Sequence, residues 1–122
     1  MQGKKILVVD DEPNIVRSLT FVLNKEGYDV STAGDGEQAM TMIRASKPHL
    51  LILDVMMPKK GGYDVCSEVK SDPQLQDIHV MMLTAKGHEG DREIGLSQGA
   101  DEYFSKPFSP IRILTRVKEL LG

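Results

Sequence analysis

Four polar positions stand where apolar runs stop. Asp10 and Asp11 follow Ile6-Leu7-Val8-Val9, Asp54 follows Leu50-Leu51-Ile52-Leu53, and Thr84 follows the run Ile78 to Leu83. Lys106 comes just after a shorter stretch, Asp101 to Phe104. Carboxylates gathered in one place repel, and protons or a cation must relieve the repulsion. A hard divalent ion with oxygen ligands suits Asp10, Asp11 and Asp54, with Mg²⁺ preferred. Lys106 would add a second positive charge and Thr84 a neutral donor. A cation, an ammonium and a hydroxyl around one carboxylate can hold an incoming phosphoryl group. Asp54 could then be its nucleophile and form an acyl phosphate. Taken singly, each residue is an ordinary turn cap or surface ion pair. The chemistry needs all five together.

The elements that would bring them together can be read along the chain. Wholly apolar runs such as Leu50–Leu53, which lies between Pro48 and Pro58, read as strands buried on both faces. Tyr28–Ala33 reads as a strand of weaker alternation. Pro13 suits a first helical turn, with Ile15, Leu19, Val22 and Leu23 at helical spacing and Gly27 as the stop. Asp35 can cap a second helix, with Gln38 in a capping-box relation and Ala39, Met40 and Ile43 inward. A third helix carries Val65, Cys66 and Val69 inward and stops before Pro73. A poor helix is expected over about 88–98, because Gly90 and Gly95 each cost roughly 1 kcal/mol against Ala. Ser109 and Pro110 open a fifth helix, with an apolar stripe of Ile111, Leu114, Val117 and Leu121. Strands alternating with helices in this way predict an α/β fold: a parallel sheet with helices on both faces. All carboxyl ends then share one edge, where such sheets bind ligands.

Composition narrows the function classes. With 122 residues, one domain spanning 1–122 with one core is expected. Net charge of −3 without a basic block argues against a nucleic-acid face. No apolar run reaches the ~20 residues of a membrane span, and the N-terminal Met1–Lys5 leaves no room for a signal peptide. One cysteine, Cys66, excludes an internal disulfide and fits a reducing cytoplasm; a buried structural thiol is its expected role. His49, His79 and His88 share no metal-ligand spacing.

With these motifs in place, the chain resembles the receiver domains of two-component response regulators, from Lys5 to Leu121. The matching pieces are Ile6–Glu12, Leu53–Pro58 with Gly61-Gly62, Leu83-Thr84-Ala85, and Gly99–Phe108. The resemblance implies a flavodoxin-like doubly wound sheet of five parallel strands, in the order 2-1-3-4-5, with five helices. It implies that Asp54 takes a phosphoryl group from a phosphohistidine on a sensor histidine kinase or histidine phosphotransfer protein. Asp10 and Asp11 resemble the acidic pair that binds Mg²⁺ beside Asp54, with the Met56 backbone carbonyl as a further ligand. Thr84 resembles the switch hydroxyl and Tyr103 the switch aromatic. Lys106 resembles the lysine that contacts the phosphoryl group, ahead of a cis bond to Pro107. The implied role is a signalling switch that catalyses only its own phosphoryl transfer and dephosphorylation. Its readout would be the face formed by the fourth helix, fifth strand and fifth helix, presented to an output domain or target protein. Homodimerisation on phosphorylation is a further expectation. Met56, two residues after Asp54, cannot orient an attacking water, so self-dephosphorylation should be slow; Lys86 is expected to be a solvated lysine.

Two rivals share some of these features. Gly34-Asp35-Gly36-Glu37-Gln38-Ala39 fits the G-x-G-x-x-A dinucleotide fingerprint. Asp35 and Glu37, however, place two negative charges where a pyrophosphate would bind. An aspartyl-phosphate hydrolase of the haloacid dehalogenase type would also use an Asp nucleophile and Mg²⁺. Its general acid would stand at position 56, and a methionine there cannot transfer a proton.

Overall fold

The computed structural model describes residues 3–55, 57, 60–84, 99–106 and 108–122. Five strands pair in parallel in the order β2-β1-β3-β4-β5. They are β1 (Lys5–Val9), β2 (Asp29–Ala33), β3 (Leu50–Asp54), β4 (His79–Thr84) and β5 (Glu102–Ser105). The helices among the described residues are α1 (Pro13–Lys25), α2 (Gly36–Ala45), α3 (Gly62–Ser71) and α4 (Pro110–Leu121). The expected helix over 88–98 lies outside the described residues, as do Met56, Pro58, Lys86, His88 and Pro107.

The sheet separates two apolar layers. On one face Leu7, Val9, Leu51, Leu53, Val80 and Met82 meet the inward residues of α2 and α3. On the other, Ile6, Val8, Leu50, Ile52, Met81 and Leu83 meet Leu19 and Leu23 of α1 and Ile113 and Val117 of α4. Consecutive strand residues point to opposite faces, so an unbroken apolar run belongs in a sheet covered on both sides. β3 is the central strand and is buried throughout. β2 is at the edge and mostly exposed, which explains its weak apolar pattern.

Helix termini follow local chemistry. Pro13 and Pro110 occupy the first turns of α1 and α4, where their missing N–H groups cost nothing. Gly27, at φ 97°, ends α1 in the left-handed conformation that glycine adopts without strain. The Asp35 side chain accepts a hydrogen bond from the Gln38 amide, and the Gln38 side chain accepts one from the Gly34 amide. The α2 terminus is therefore closed by its own side chains, and the amides that a pyrophosphate would need are partly spent. In α4 the expected stripe is corrected at one residue. Ile111 is 58% exposed, and Ile113 takes the inward place with Val117. Ile111 precedes Ile113 by two residues, which at 3.6 residues per turn sets it on nearly the opposite side of the helix.

Candidate phosphoacceptor and metal site

The carboxyl edge of the sheet gathers the polar ends of its strands. Val9 pairs with Leu53 and Asp54 with Leu83, so Asp10, Asp54 and Thr84 end neighbouring strands at about one level. Burial is severe for polar groups: Asp10 is 2% exposed, Asp54 4% and Thr84 1%. Each of Asp10, Asp11 and Asp54 offers one carboxylate oxygen, and these oxygens lie within 4.8 Å of one another. Lys106 reaches in from beyond β5, its backbone N–H donating to the Thr84 carbonyl at 2.6 Å. Its Nζ lies 2.9 Å from Glu12 Oε1, 3.2 Å from Asp10 Oδ2 and 3.5 Å from Asp54 Oδ1.

Electrostatics match that crowding. Burial pushes the Asp10 carboxyl above the usual carboxylate range, and the Glu12 amide and Lys106 only partly offset it. Burial also pulls down the Lys106 ammonium, but its hydrogen bond to Glu12 and the charges of Asp54 and Asp10 outweigh this and hold it above the ordinary lysine value. Buried Asp10 Oδ2 lacks a well-formed hydrogen bond among the described residues, although Lys106 lies close. A divalent cation fits this donor set. The ligands are hard oxygens, and positive charge there would relieve both the repulsion and the cost of burial.

Thr84 Oγ1 is likewise buried with no hydrogen-bond partner among the described residues. An unmet hydroxyl is costly, so this donor is ready for an arriving oxygen. Tyr103 pairs in register with Met82, two residues before Thr84, so Tyr103 and Thr84 share a face of the sheet. The Tyr103 ring packs half-buried against the α2–α3 layer, with its hydroxyl 3.3 Å from that of Tyr63. Asp10, Asp11, Asp54 and Lys106 thus come together, with Thr84 at the same edge and Tyr103 behind it. Glu12 and Tyr63 were not singled out by sequence reasoning. Glu12 had one signal, its place directly after the acid pair. Nothing in the local pattern distinguishes Tyr63 from a core-flanking aromatic.

The model of the response regulator receiver domain matches residues 6–118. The chain belongs to this family. It is 48% identical over 119 residues to the alkaline phosphatase synthesis transcriptional regulatory protein PhoP of Bacillus subtilis, covering 98% of this chain and 49% of that protein. It is 43% identical over 118 residues to the DNA-binding response regulator MtrA of Mycolicibacterium smegmatis, covering 97% and 50%. The chain therefore spans about half the length of these relatives. Among solved structures, the chemotaxis response regulator CheY4 of Vibrio cholerae superposes with a TM-score of 0.90 at 29% identity, covering 99% of this chain and 100% of that one. The signal receiver domain of a histidine kinase from Syntrophus aciditrophicus gives 0.89 at 33% identity, covering 98% and 90%. The fold is thus the CheY-like, flavodoxin-type doubly wound sheet, and the domain is a module of two-component signalling, not a classical enzyme. The haloacid-dehalogenase alternative gains no support. No helix among the described residues is long and apolar enough to cross a membrane.

Proposed function

We propose that Asp54 is the phosphoryl acceptor of this receiver domain, which extends over residues 1–122. One arrangement carries the reading: a 4%-exposed carboxylate at the end of the central strand, grouped with Asp10 and Asp11 and 3.5 Å from the Lys106 ammonium. The donor is a phosphohistidine on a sensor histidine kinase or histidine phosphotransfer protein. An Asp54 oxygen attacks phosphorus while the phosphorus–nitrogen bond breaks, and the imidazole leaves with the electron pair. Lys106 stabilises charge on the phosphoryl oxygens. Asp10, Asp11 and Asp54, with the Met56 carbonyl, would hold Mg²⁺, which when bound supplies positive charge to the transferring group.

The response begins at Thr84. A phosphoryl oxygen offers its unpaired hydroxyl a partner, and Tyr103 follows the movement inward. The altered surface, which includes β5 and α4, is read by an output domain or target protein. It could serve also as a homodimer contact on phosphorylation. The relatives named as transcriptional and DNA-binding regulators suggest a DNA-binding output in a longer protein, while this domain itself does not touch nucleic acid. The only chemistry catalysed is gain and loss of its own phosphoryl group, in the cytoplasm. Intact-mass spectrometry after incubation with acetyl phosphate and Mg²⁺ tests the proposal. One added phosphoryl group in the wild type, absent in Asp54→Ala, is the expected result; labelling that survives in Asp54→Ala would refute it.

A further inference from the structure

Glu12 stands at the site without belonging to the group of metal-ligating carboxylates. It is the N-cap residue of α1, yet its side chain makes no cap hydrogen bond to that helix. The carboxylate turns instead to Lys106, at 2.9 Å the nearest of the three acids around the ammonium. The Glu12 backbone is pinned at both ends. Its N–H donates to Asp10 Oδ1 at 2.9 Å, and its carbonyl accepts from Ile15 and Val16 at 3.1 Å each. The side chain is 58% exposed, against 14% for that of Lys106. That exposure leaves the Glu12 carboxylate freer to turn away than the largely buried Lys106 side chain, whose backbone N–H is also bonded to the Thr84 carbonyl.

We propose that Glu12 is an electrostatic gate on Lys106, a positioning residue that sets how readily the site accepts an anionic phosphodonor. The proposal rests on the reading of Asp54 as acceptor. Asp10, Glu12 and Asp54 flank a single ammonium and Asp11 adds a fourth carboxylate beside Asp10 and Asp54, so the ionised site stays net negative even with a divalent cation in place. Asp10, Asp11 and Asp54 are committed to the cation. Glu12 is the one acid whose removal leaves the metal ligands intact. A phosphoryl dianion must enter against its charge and take Lys106 from it. In the reaction with acetyl phosphate, an Asp54 oxygen forms the new bond to phosphorus. The bond from phosphorus to the acetyl oxygen breaks, and acetate departs with the electron pair. Glu12 gains and loses nothing covalently; it releases the ammonium to the phosphoryl oxygens.

Glu12→Gln keeps the size and the polar reach but removes the charge. With acetyl phosphate and Mg²⁺, the second-order rate of Asp54 labelling should rise roughly three- to tenfold, the size expected of one nearby partly solvated charge. The gain should shrink as salt is raised, because screening weakens the charge that the substitution removes. In a second measurement, the beryllofluoride concentration that half-saturates the Mg²⁺-loaded protein by amide NMR should fall by a similar factor. An unchanged or slower rate in Glu12→Gln, with the wild type still labelled at Asp54, overturns the gate and leaves the acceptor reading standing. A wild type that takes no phosphoryl group overturns both.

Discussion

At the scale of single residues, burial decides which groups react. Cys66 is fully buried between Val65 and Val69 on the inner side of α3, and burial pushes its thiol up to about 11. A thiolate is the reactive form, so the native protein should not react with a disulfide reagent at pH 8, and unfolding in guanidinium should release one full equivalent within seconds. Rapid labelling of the folded protein would show that α3 opens far more readily than its packing implies. The same scale shows what the sequence could and could not disclose. Asp10, Asp54 and Thr84 were legible because each interrupts an apolar run at a strand end. The bond from Glu12 to Lys106 spans 94 residues and depends on two flexible side chains. No periodicity encodes that reach.

Between elements, a glycine permits the close approach of α2 to the loop before α3. A Cβ on Gly36, the first residue of α2, would lie 2.0 Å from the Lys60 carbonyl oxygen. The same addition at Gly34 would meet only the Gln38 amide oxygen, at 3.9 Å. Gly36→Ala should therefore destabilise the protein by about 1–3 kcal/mol in urea denaturation despite alanine's better helix propensity, and Gly34→Ala should change little. Both glycines fit the dinucleotide fingerprint in sequence; in the structure Gly36 serves helix-to-loop contact. A second tie joins α2 to α3, where Glu68 accepts from Lys60 and, at 2.9 Å, from Arg44. The Lys60 bond, followed by that from Arg44, lowers the Glu68 pKa below its ordinary 4.5. A lowered folded value means that the stabilisation is present above about pH 4.5 and is lost as pH falls through the folded value. Glu68→Gln should cost about 0.5 kcal/mol at pH 7, with the difference from wild type shrinking as the Glu68 carboxylate takes up its proton in acid. Element types were legible here because Pro13, Asp35 and Pro110 mark helix starts and Gly27 a helix stop. Ile111 misled because its apolar character fits a stripe that the helix geometry turns outward.

For the whole molecule, site and fold are one cooperative object. The candidate ligands come from the ends of β1 and β3, Thr84 from β4, and Lys106 from beyond β5; only the paired sheet sets them side by side. The central β3 is packed on both faces, so neither apolar layer can melt without stripping Asp54 of its support. An unfolded chain scatters these groups across the 97 residues from Asp10 to Lys106 and has no equivalent site. Mg²⁺ binding should then stabilise the native state globally, by about 1.4 kcal/mol when the ion is at ten times its dissociation constant. Asp10→Asn should abolish most of that gain. Without the ion the order should reverse. The buried Asp10 carboxylate is held at a cost, its usual ionisation opposed by burial, and an amide in its place removes one member of a repelling group. Denaturation of both proteins in EDTA and in saturating Mg²⁺ should therefore give curves that cross: Asp10→Asn the more stable without metal, the wild type the more stable with it. Parallel responses to Mg²⁺ in the two proteins would place the cation somewhere other than this edge of the sheet.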